Sequence, residues 1–238
     1  MCTYPHLHPR WLAWFYKYDY GLDCVDVGQV SRALAPYVAQ LVGVDISPRM
    51  VEVYNTRANT QGLEPHEMRA VNSLAELHQE QRFDLAVVRN LHLPPFLTTS
   101  YNTDRDDACV ISIVLKCSMA YHHFASVEQI TRDLVSYLKP RGTLAVADIA
   151  RVRVRKPGDT EEGEGKEEEE EEAPPVIPAQ YEHIVAHTRG FAEEEMRALF
   201  EGPGGLEDFS FELFSSAKRD GRDIQFFLAT GTKPAQPQ

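Results

Sequence analysis

Short apolar runs alternate with segments of helical periodicity along most of the chain. Four runs, 22–27, 40–45, 82–88 and 143–150, have the length and composition of buried strands in a parallel sheet. A weaker fifth run precedes Asn72. Each run predicts one strand.

The segments between these runs have the spacing and the end signals of helices. Ser47 is a favourable N-cap residue, Pro48 suits the first helical position, and Gly62 predicts the end of that helix. By apolar spacing or composition, four further helices are predicted over 29–39, 74–81, 127–138 and 191–201.

Two final apolar runs, 209–214 and 223–233, predict a pair of strands at the edge of the sheet. Alternating strands and helices imply a parallel sheet with right-handed crossovers. The predicted fold class is therefore α/β: a Rossmann-like, seven-stranded, mostly parallel sheet with helices on both faces and an antiparallel last strand.

Three segments do not follow the alternation. Residues 1–21 form an aromatic N-terminal arm, and residues 89–116 interrupt the core predicted over 22–150. Residues 151–178 are glutamate-rich and then proline-rich, which predicts a disordered acidic linker. Residues 179–233 are predicted to complete the same domain.

The charge distribution excludes some partners. The stretch 159–172 holds ten acidic residues and one lysine, which accounts for −9 of the net charge of −12. The remainder is nearly neutral and has no basic stripe for nucleic-acid phosphates. No run approaches about 18 consecutive apolar residues, and the N-terminus lacks a signal-peptide core. We therefore expect a cytoplasmic protein without nucleic-acid or membrane binding.

Polar residues follow the predicted strands where a parallel sheet binds ligands, at the carboxyl ends. These residues are Asp26, Asp45, Asn72 and Asp148. The Asp45 carboxylate could accept both hydroxyls of a ribose, although a solvated or helix-capping acid is the alternative. Asn72 with Ser73 could reach a purine amine or form an ordinary turn. Gly28 allows close approach of the backbone to a ligand.

These residues resemble class I S-adenosylmethionine-dependent methyltransferases, in particular the small-molecule branch that includes methyltransferase type 11 and the ubiquinone/menaquinone C-methyltransferases. The matching stretches include "GVDIS" with Met50 three positions on, "YHHF", "LKPRGTLAVADI" and "GFAEEEMRALFEG". The resemblance implies a strand order 3-2-1-4-5-7-6 and S-adenosyl-L-methionine as cofactor. It implies donor binding by Asp26, Gly28, Asp45, Ile46, Asn72, Ser73, Cys117 and Ser118. An acceptor that must lose a proton needs a base, for which His122 or His123 is the candidate; packing or capping histidines are the alternative.

The chain departs from the family pattern in two places. The glycine turn of the form D-x-G-x-G-x-G is shortened after Gly28 by four residues. The second departure is the added segment 89–116, which fits either a lid loop or a translated intron. Removing it would join "FDLAVV" to "CSMAYHHF" and restore the pattern of the family.

The sequence thus predicts a methyltransferase for a small-molecule acceptor, whose activity the loop loss could impair. A non-catalytic Rossmann-like pseudoenzyme or protein-interaction module is the alternative. A nicotinamide-dependent oxidoreductase is disfavoured, because the G-x-G-x-x-G turn is absent and no Tyr-x-x-x-Lys pair is evident. The nine histidines show no metal-ligand spacing, so no metal is expected.

Overall fold

The apolar runs assemble into one mixed β-sheet in the computed structural model. The structure describes residues 31, 38–89, 111–117, 121–151, 175–177, 183, 185–219 and 222–235, with the backbone alone at 89, 111–117, 219 and 222. The predicted arm 1–21, strand 22–27 and most of the acidic linker lie outside these residues, as do Asp26, Gly28 and Ser118.

The sheet has seven strands within the described residues, in the order β2-β1-β4-β3-β5-β7-β6. The strands are β1 (Val38–Val44), β2 (Met68–Val71), β3 (Phe83–Arg89), β4 (Ile111–Cys117), β5 (Leu138–Ile149), β6 (Glu207–Arg219) and β7 (Arg222–Thr232). The pairings among β1 to β5 are parallel. The last strand, β7, is antiparallel to both of its neighbours.

Three α-helices lie entirely within the described ranges: α1 (Pro48–Thr60), α2 (Val127–Ser136) and α3 (Glu193–Glu201). Ser47 is the N-cap residue of α1 and Pro48 is its first residue, as predicted. The helix predicted over 74–81 is wrong, because only the 3-10 turn Leu74–Glu76 forms. Leu77 is extended and is buried in the core, which ends the helical path there.

Successive strand residues pack on opposite faces of the sheet, as the pleat requires. In β3, Leu85 and Val87 join a core cluster with α1, whereas Ala86 and Val88 join a second cluster with α2 and α3. Helices therefore cover both faces. Burial of each large aliphatic side chain stabilises the fold by about 1.5–3 kcal/mol.

The described ends of the predicted acidic linker belong to the fold. Arg151 forms an ion pair with Glu195 at 2.8 Å. The backbone N–H groups of Val176 and Ile177 donate to the Thr188 carbonyl, and Ile177 is 5% exposed. Residues 151 and 176–177, at the two described ends of the predicted linker, therefore contact the rest of the fold.

The place between β1 and β3 is filled by β4. Six of its seven residues come from the segment 89–116. β4 pairs with β1 from Val38↔Ile111 to Val44↔Cys117, and with β3 from Leu85↔Val114 to Val88↔Cys117. The segment predicted as an addition thus contributes a central strand. In the expected sheet, residues 22–27 formed the strand at this place, whereas the structure has Ile111–Cys117 there.

We expect deletion of residues 89–116 to abolish cooperative thermal unfolding or to lower its midpoint strongly. The deletion removes nearly all of β4 and leaves β1 and β3 unpaired on one edge each, which is a large loss for a domain of marginal stability. Circular dichroism during heating measures the effect.

Deletion of the acidic stretch 159–172 is the matched control, and its midpoint should stay near that of the parent. An equal or higher midpoint for the 89–116 deletion would contradict the central role of β4. It would mean that another segment takes the place of β4 between β1 and β3. The candidate is 22–27, because it has the pattern of a strand.

Candidate functional site

The β1–α1 turn carries Asp45 at the carboxyl edge of the sheet. The Asp45 backbone N–H donates to the Val71 carbonyl at 3.0 Å, so the turn is tied to the end of β2. Asp45 Oδ1 accepts the backbone N–H of Ser47 at 2.8 Å. The turn therefore holds the carboxylate at the start of α1, where the helix dipole favours negative charge.

The Asp45 carboxylate is partly buried and lies next to an exposed apolar side chain. Burial raises the pKa of Asp45 above its ordinary value, and the hydrogen bond from Ser47 lowers it in part. Oδ2 makes no hydrogen bond to any residue that the structure describes. Ile46 is 66% exposed. A carboxylate oxygen without a partner among the described residues thus adjoins an exposed apolar side chain.

Asn72 and Ser73 lie in the turn after β2. The Asn72 side-chain amide donates to the Asp45 carbonyl at 3.2 Å, which links the two strand ends. The Asn72 backbone N–H and the Ser73 hydroxyl both donate to Glu76 Oε1, at 3.1 and 3.5 Å. Asn72 therefore positions the Asp45 turn, and the expected purine contact stays a prediction.

Cys117 ends β4 in register with Val44 of β1 and Val88 of β3. Its backbone therefore lies beside the end of β1 that leads to Asp45. Of the predicted cofactor residues, Asp45, Ile46, Asn72, Ser73 and Cys117 gather at this one edge.

A second polar group lies at the end of β5. His122, in the 3-10 turn Tyr121–His123, places Nδ1 at 2.6 Å from Asp148 Oδ1. The His122 backbone N–H donates to Asp148 Oδ2 at 3.0 Å. The two side chains are only 4% and 0% exposed, respectively. Asp148 was included among the polar residues where a parallel sheet binds ligands, but its side chain is fully buried against His122.

The two candidate histidines differ in environment. The His123 ring lies 4.4 Å from the His122 ring, centroid to centroid, and is partly exposed. Tyr121 is buried and bonded to the Thr131 hydroxyl, and burial raises the pKa of its phenol. The phenol therefore stays neutral.

The segment 185–191 fixes the position of His122. The backbone N–H groups of Ala186 and His187 both donate to the His122 carbonyl at 3.0 Å. Phe191 then pairs with Ala150 just after β5. Gly190 makes this approach possible: its φ is +70°, and a Cβ there would lie 2.5 Å from the Ile149 carbonyl oxygen.

Sequence reasoning missed the contact of this segment with His122. The signal was the sequence "HTRGF", in which Gly190 follows His187 closely and precedes an apolar residue. In the described ranges, no group of three or more His, Cys, Asp or Glu residues could hold a metal ion. No helix in those ranges is long and apolar enough to cross a membrane.

The chain matches the family model described as "Methyltransferase domain" over residues 27–196. It is 32% identical over 186 residues to an uncharacterized methyltransferase of Schizosaccharomyces pombe, covering 76% of this chain and 52% of that protein. It is 26% identical over 121 residues to the uncharacterized methyltransferase YcgJ of Bacillus subtilis, covering 51% of this chain and 36% of YcgJ. The chain thus spans about half or less of these relatives.

A solved structure shows the same fold at low identity. Phosphoethanolamine N-methyltransferase 2 of Haemonchus contortus, in complex with S-adenosyl-L-methionine, aligns with a TM-score of 0.51 at 10% identity, covering 87% of this chain and 46% of that one. The structure of YcgJ aligns with a TM-score of 0.49 at 16% identity, covering 87% and 88%.

We expect Gly190→Ala to destabilise the protein more than Gly62→Ala. Both glycines have positive φ, +70° and +77°, but a Cβ at Gly62 meets nothing within 4 Å. The left-handed conformation costs each variant about 1–2 kcal/mol. Overlap with the Ile149 carbonyl should add at least about 1 kcal/mol for Gly190→Ala.

Urea unfolding of the two variants and the parent measures the difference in free energy of unfolding. Equal losses would contradict the close packing of the 185–191 segment on β5.

Proposed function

Since the chain belongs to the methyltransferase domain family, we propose that it transfers a methyl group from S-adenosyl-L-methionine to a small-molecule acceptor. The observation that carries this proposal is the Asp45 oxygen that has no partner among the described residues and lies beside the exposed Ile46 at the carboxyl edge. Ligands of parallel α/β sheets bind at that edge.

The residues at this edge fit the nucleoside half of the cofactor. A carboxylate oxygen that lacks a partner among the described residues can accept sugar hydroxyls, and the apolar side chain of Ile46 can cover one face of a base. Asp45 and Ile46 would hold the donor, with Asn72 fixing the turn. Ser73 and Cys117, and Asp26, Gly28 and Ser118 outside the described residues, are proposed as further donor contacts.

S-adenosyl-L-methionine supplies a methyl group that is already electrophilic because it is bonded to a sulfonium. The protein then needs chiefly to bind, to orient and to exclude water, since alignment of two reactants alone supplies a large part of a rate enhancement. The hydrogen-bonded β1–α1 turn would bind and orient the donor. His122 or His123 is the proposed proton acceptor on the other side.

A small acceptor agrees with the architecture. In the C-terminal part of the chain, β6 and β7 complete the same sheet and α3 packs against it, so this part belongs to the same domain in the ranges that the structure describes. We also propose that the protein is cytoplasmic and that it binds neither nucleic acid nor membranes.

We expect S-adenosylhomocysteine, the demethylated product, to bind the purified chain with micromolar affinity, and Asp45→Ala to weaken binding about 10- to 100-fold. A hydrogen bond to a charged group contributes about 1.5–3 kcal/mol, which corresponds to that range. Isothermal titration calorimetry measures both affinities.

Glu80→Ala is the control for a lost acidic side chain, because Glu80 is exposed and lies beside Gln81 on the way into β3, away from the carboxyl edge. Its affinity should equal that of the parent. Absence of heat at millimolar ligand, or equal weakening by both substitutions, would overturn the proposed site.

We also expect the affinity for S-adenosylhomocysteine to fall as the pH is lowered through the pKa of Asp45. Burial raises that pKa above its ordinary value of 3.8, and only the ionised carboxylate accepts two hydroxyl hydrogen bonds. The fall should therefore begin at a higher pH than for an ordinary aspartate. Titrations from neutral to mildly acidic pH, with folding checked by circular dichroism, test this expectation.

Asp45→Asn should lack this pH-dependent step, since an amide does not ionise in this range. If the affinity of Asp45→Asn fell with pH in the same way, a group other than Asp45 would be responsible for the pH dependence.

A further inference from the structure

A polar groove lies at the amino ends of β1 and β2, opposite the edge of the sheet that carries Asp45. Its volume is about 600 Å³, which lies within the range of about 300–1,000 Å³ that is usual for small-molecule sites. Most of the side chains that line it bear nitrogen; these are Gln40, His66, Arg69, His78 and Gln81.

The loop before β3 forms one wall of the groove because the helical path ends early. The 3-10 turn Leu74–Glu76 is followed by Leu77, which is extended and buried. Residues 78–81 then form a turn, in which the Gln81 backbone N–H donates to the His78 carbonyl at 2.9 Å. In the described ranges, a loop and not a helix therefore borders the amino ends of β1 and β2 here.

Arg69 and Gln40 project from the same face of the sheet. Arg69 is in register with Val42 of β1, and Gln40 precedes Val42 by two residues. Side chains alternate along a strand, and Val42 packs on the α2 side, whereas Met68 packs on the α1 side. Both polar side chains therefore lie on the α2 side, next to each other across the two strands.

The Arg69 guanidinium has no counter-ion among the described residues. Its Nη2 donates to Gln81 Oε1 at 3.3 Å, and its buried Nε has no hydrogen-bond partner there. A guanidinium carries five N–H donors and keeps its positive charge in proteins. A part-buried charge is costly unless it is paired, so this side chain favours a negatively charged acceptor in the groove that it lines.

The two glutamine amides extend the set of donors. Gln81 accepts from Arg69 through Oε1, and its NH₂ group donates to Gln40 Oε1 at 3.3 Å. Both amide oxygens are thus engaged, and the NH₂ group of Gln40 has no partner among the described residues. The direction of these hydrogen bonds leaves N–H groups for a ligand, which must then supply oxygen acceptors.

One carboxylate, that of Glu80, also lines the groove. Glu80 is exposed and makes no hydrogen bond or ion pair with any residue that the structure describes. It therefore does not neutralise Arg69, whose side chain bonds only to Gln81 in those ranges. Its charge opposes a bound anion, so its removal should strengthen anion binding.

The groove is separate from the donor site. Gln40 and Asp45 are five residues apart along β1 and the turn that follows it. At about 3.3 Å per residue, this corresponds to about 16 Å. One oxyanion group cannot contact both residues, so a ligand of the groove is additional to S-adenosyl-L-methionine.

We propose that this groove binds the oxyanion group of a small molecule, a phosphate or a carboxylate, through the Arg69 guanidinium and the Gln40 amide. A guanidinium suits both groups because its planar N–H donors form paired hydrogen bonds to two oxygens. Binding here is non-covalent and does not depend on methyl transfer.

Nuclear magnetic resonance titrations of the ¹⁵N-labelled protein with sodium phosphate test the site through the Nε–H signals of arginine. The Arg69 signal should shift to saturation with a millimolar Kd, at an ionic strength held constant with sodium chloride. A second titration with sodium acetate separates the two ligand sources. Tighter binding of phosphate assigns the site to a phosphoryl group, and tighter binding of acetate assigns it to a carboxylate.

Three variants test the named side chains, with affinities read from backbone amide shifts around the groove. Arg69→Gln should weaken phosphate binding at least about tenfold, because a charge-assisted hydrogen bond is lost. Gln40→Ala should weaken it several-fold. Glu80→Ala should bind phosphate more tightly than the parent does.

Arg197→Gln is the matched control, because Arg197 already has two carboxylate partners. It donates to Glu193 and Glu201 at 3.0 and 3.3 Å. Its own Nε–H signal should not respond to phosphate, and its replacement should leave the phosphate affinity unchanged.

The proposal is overturned if the Arg69 signal shows no saturable shift with either anion, or if Arg69→Gln and Arg197→Gln weaken binding equally. The parent titration decides even if Arg69→Gln fails to fold, since the Nε–H signal can be assigned through the Arg69 backbone amide. Saturation with S-adenosylhomocysteine should leave phosphate binding intact. Displacement of phosphate by S-adenosylhomocysteine would contradict a separate site, whereas failure of S-adenosylhomocysteine to bind would count against the proposed function alone.

Discussion

Parallel pairing of β1, β4, β3 and β5 is the constraint on which the site depends. Backbone hydrogen bonds between these strands set their register, and parallel direction brings their carboxyl ends to one edge of the sheet. Asp45, Cys117 and Asp148 are far apart in the sequence, yet each lies at or next to such an end. A shift of one strand would move its polar residue away from the others, so the candidate site is a consequence of the sheet.

The central position of β4 gives the segment 89–116 a structural role. The family pattern favoured an addition that could be removed, because "FDLAVV" and "CSMAYHHF" join smoothly without it. The sheet instead uses Ile111–Cys117 between β1 and β3. Two apolar runs of similar strand character, 22–27 and 111–117, are present in the sequence, and strand pattern alone does not say which one pairs at the centre.

Local signals predicted local structure well. Ser47 and Pro48 marked the start of α1, and the apolar run before Asp45 marked β1, because caps and short apolar runs act within a few residues. The tertiary contact between His122 and Asp148, 26 residues apart, was not predicted. The His122 carbonyl also accepts backbone N–H groups from Ala186 and His187, which belong to a third segment of the chain.

The central claim is that the Asp45 carboxylate accepts the sugar hydroxyls of a nucleoside donor at the carboxyl edge of the sheet. A crystal structure of the protein with S-adenosylhomocysteine tests this claim most directly. The account predicts both ribose hydroxyls within hydrogen-bond distance of the Asp45 carboxylate, with Ile46 against the base. A nucleoside bound at another edge, or a ribose that makes no contact with Asp45, would contradict it.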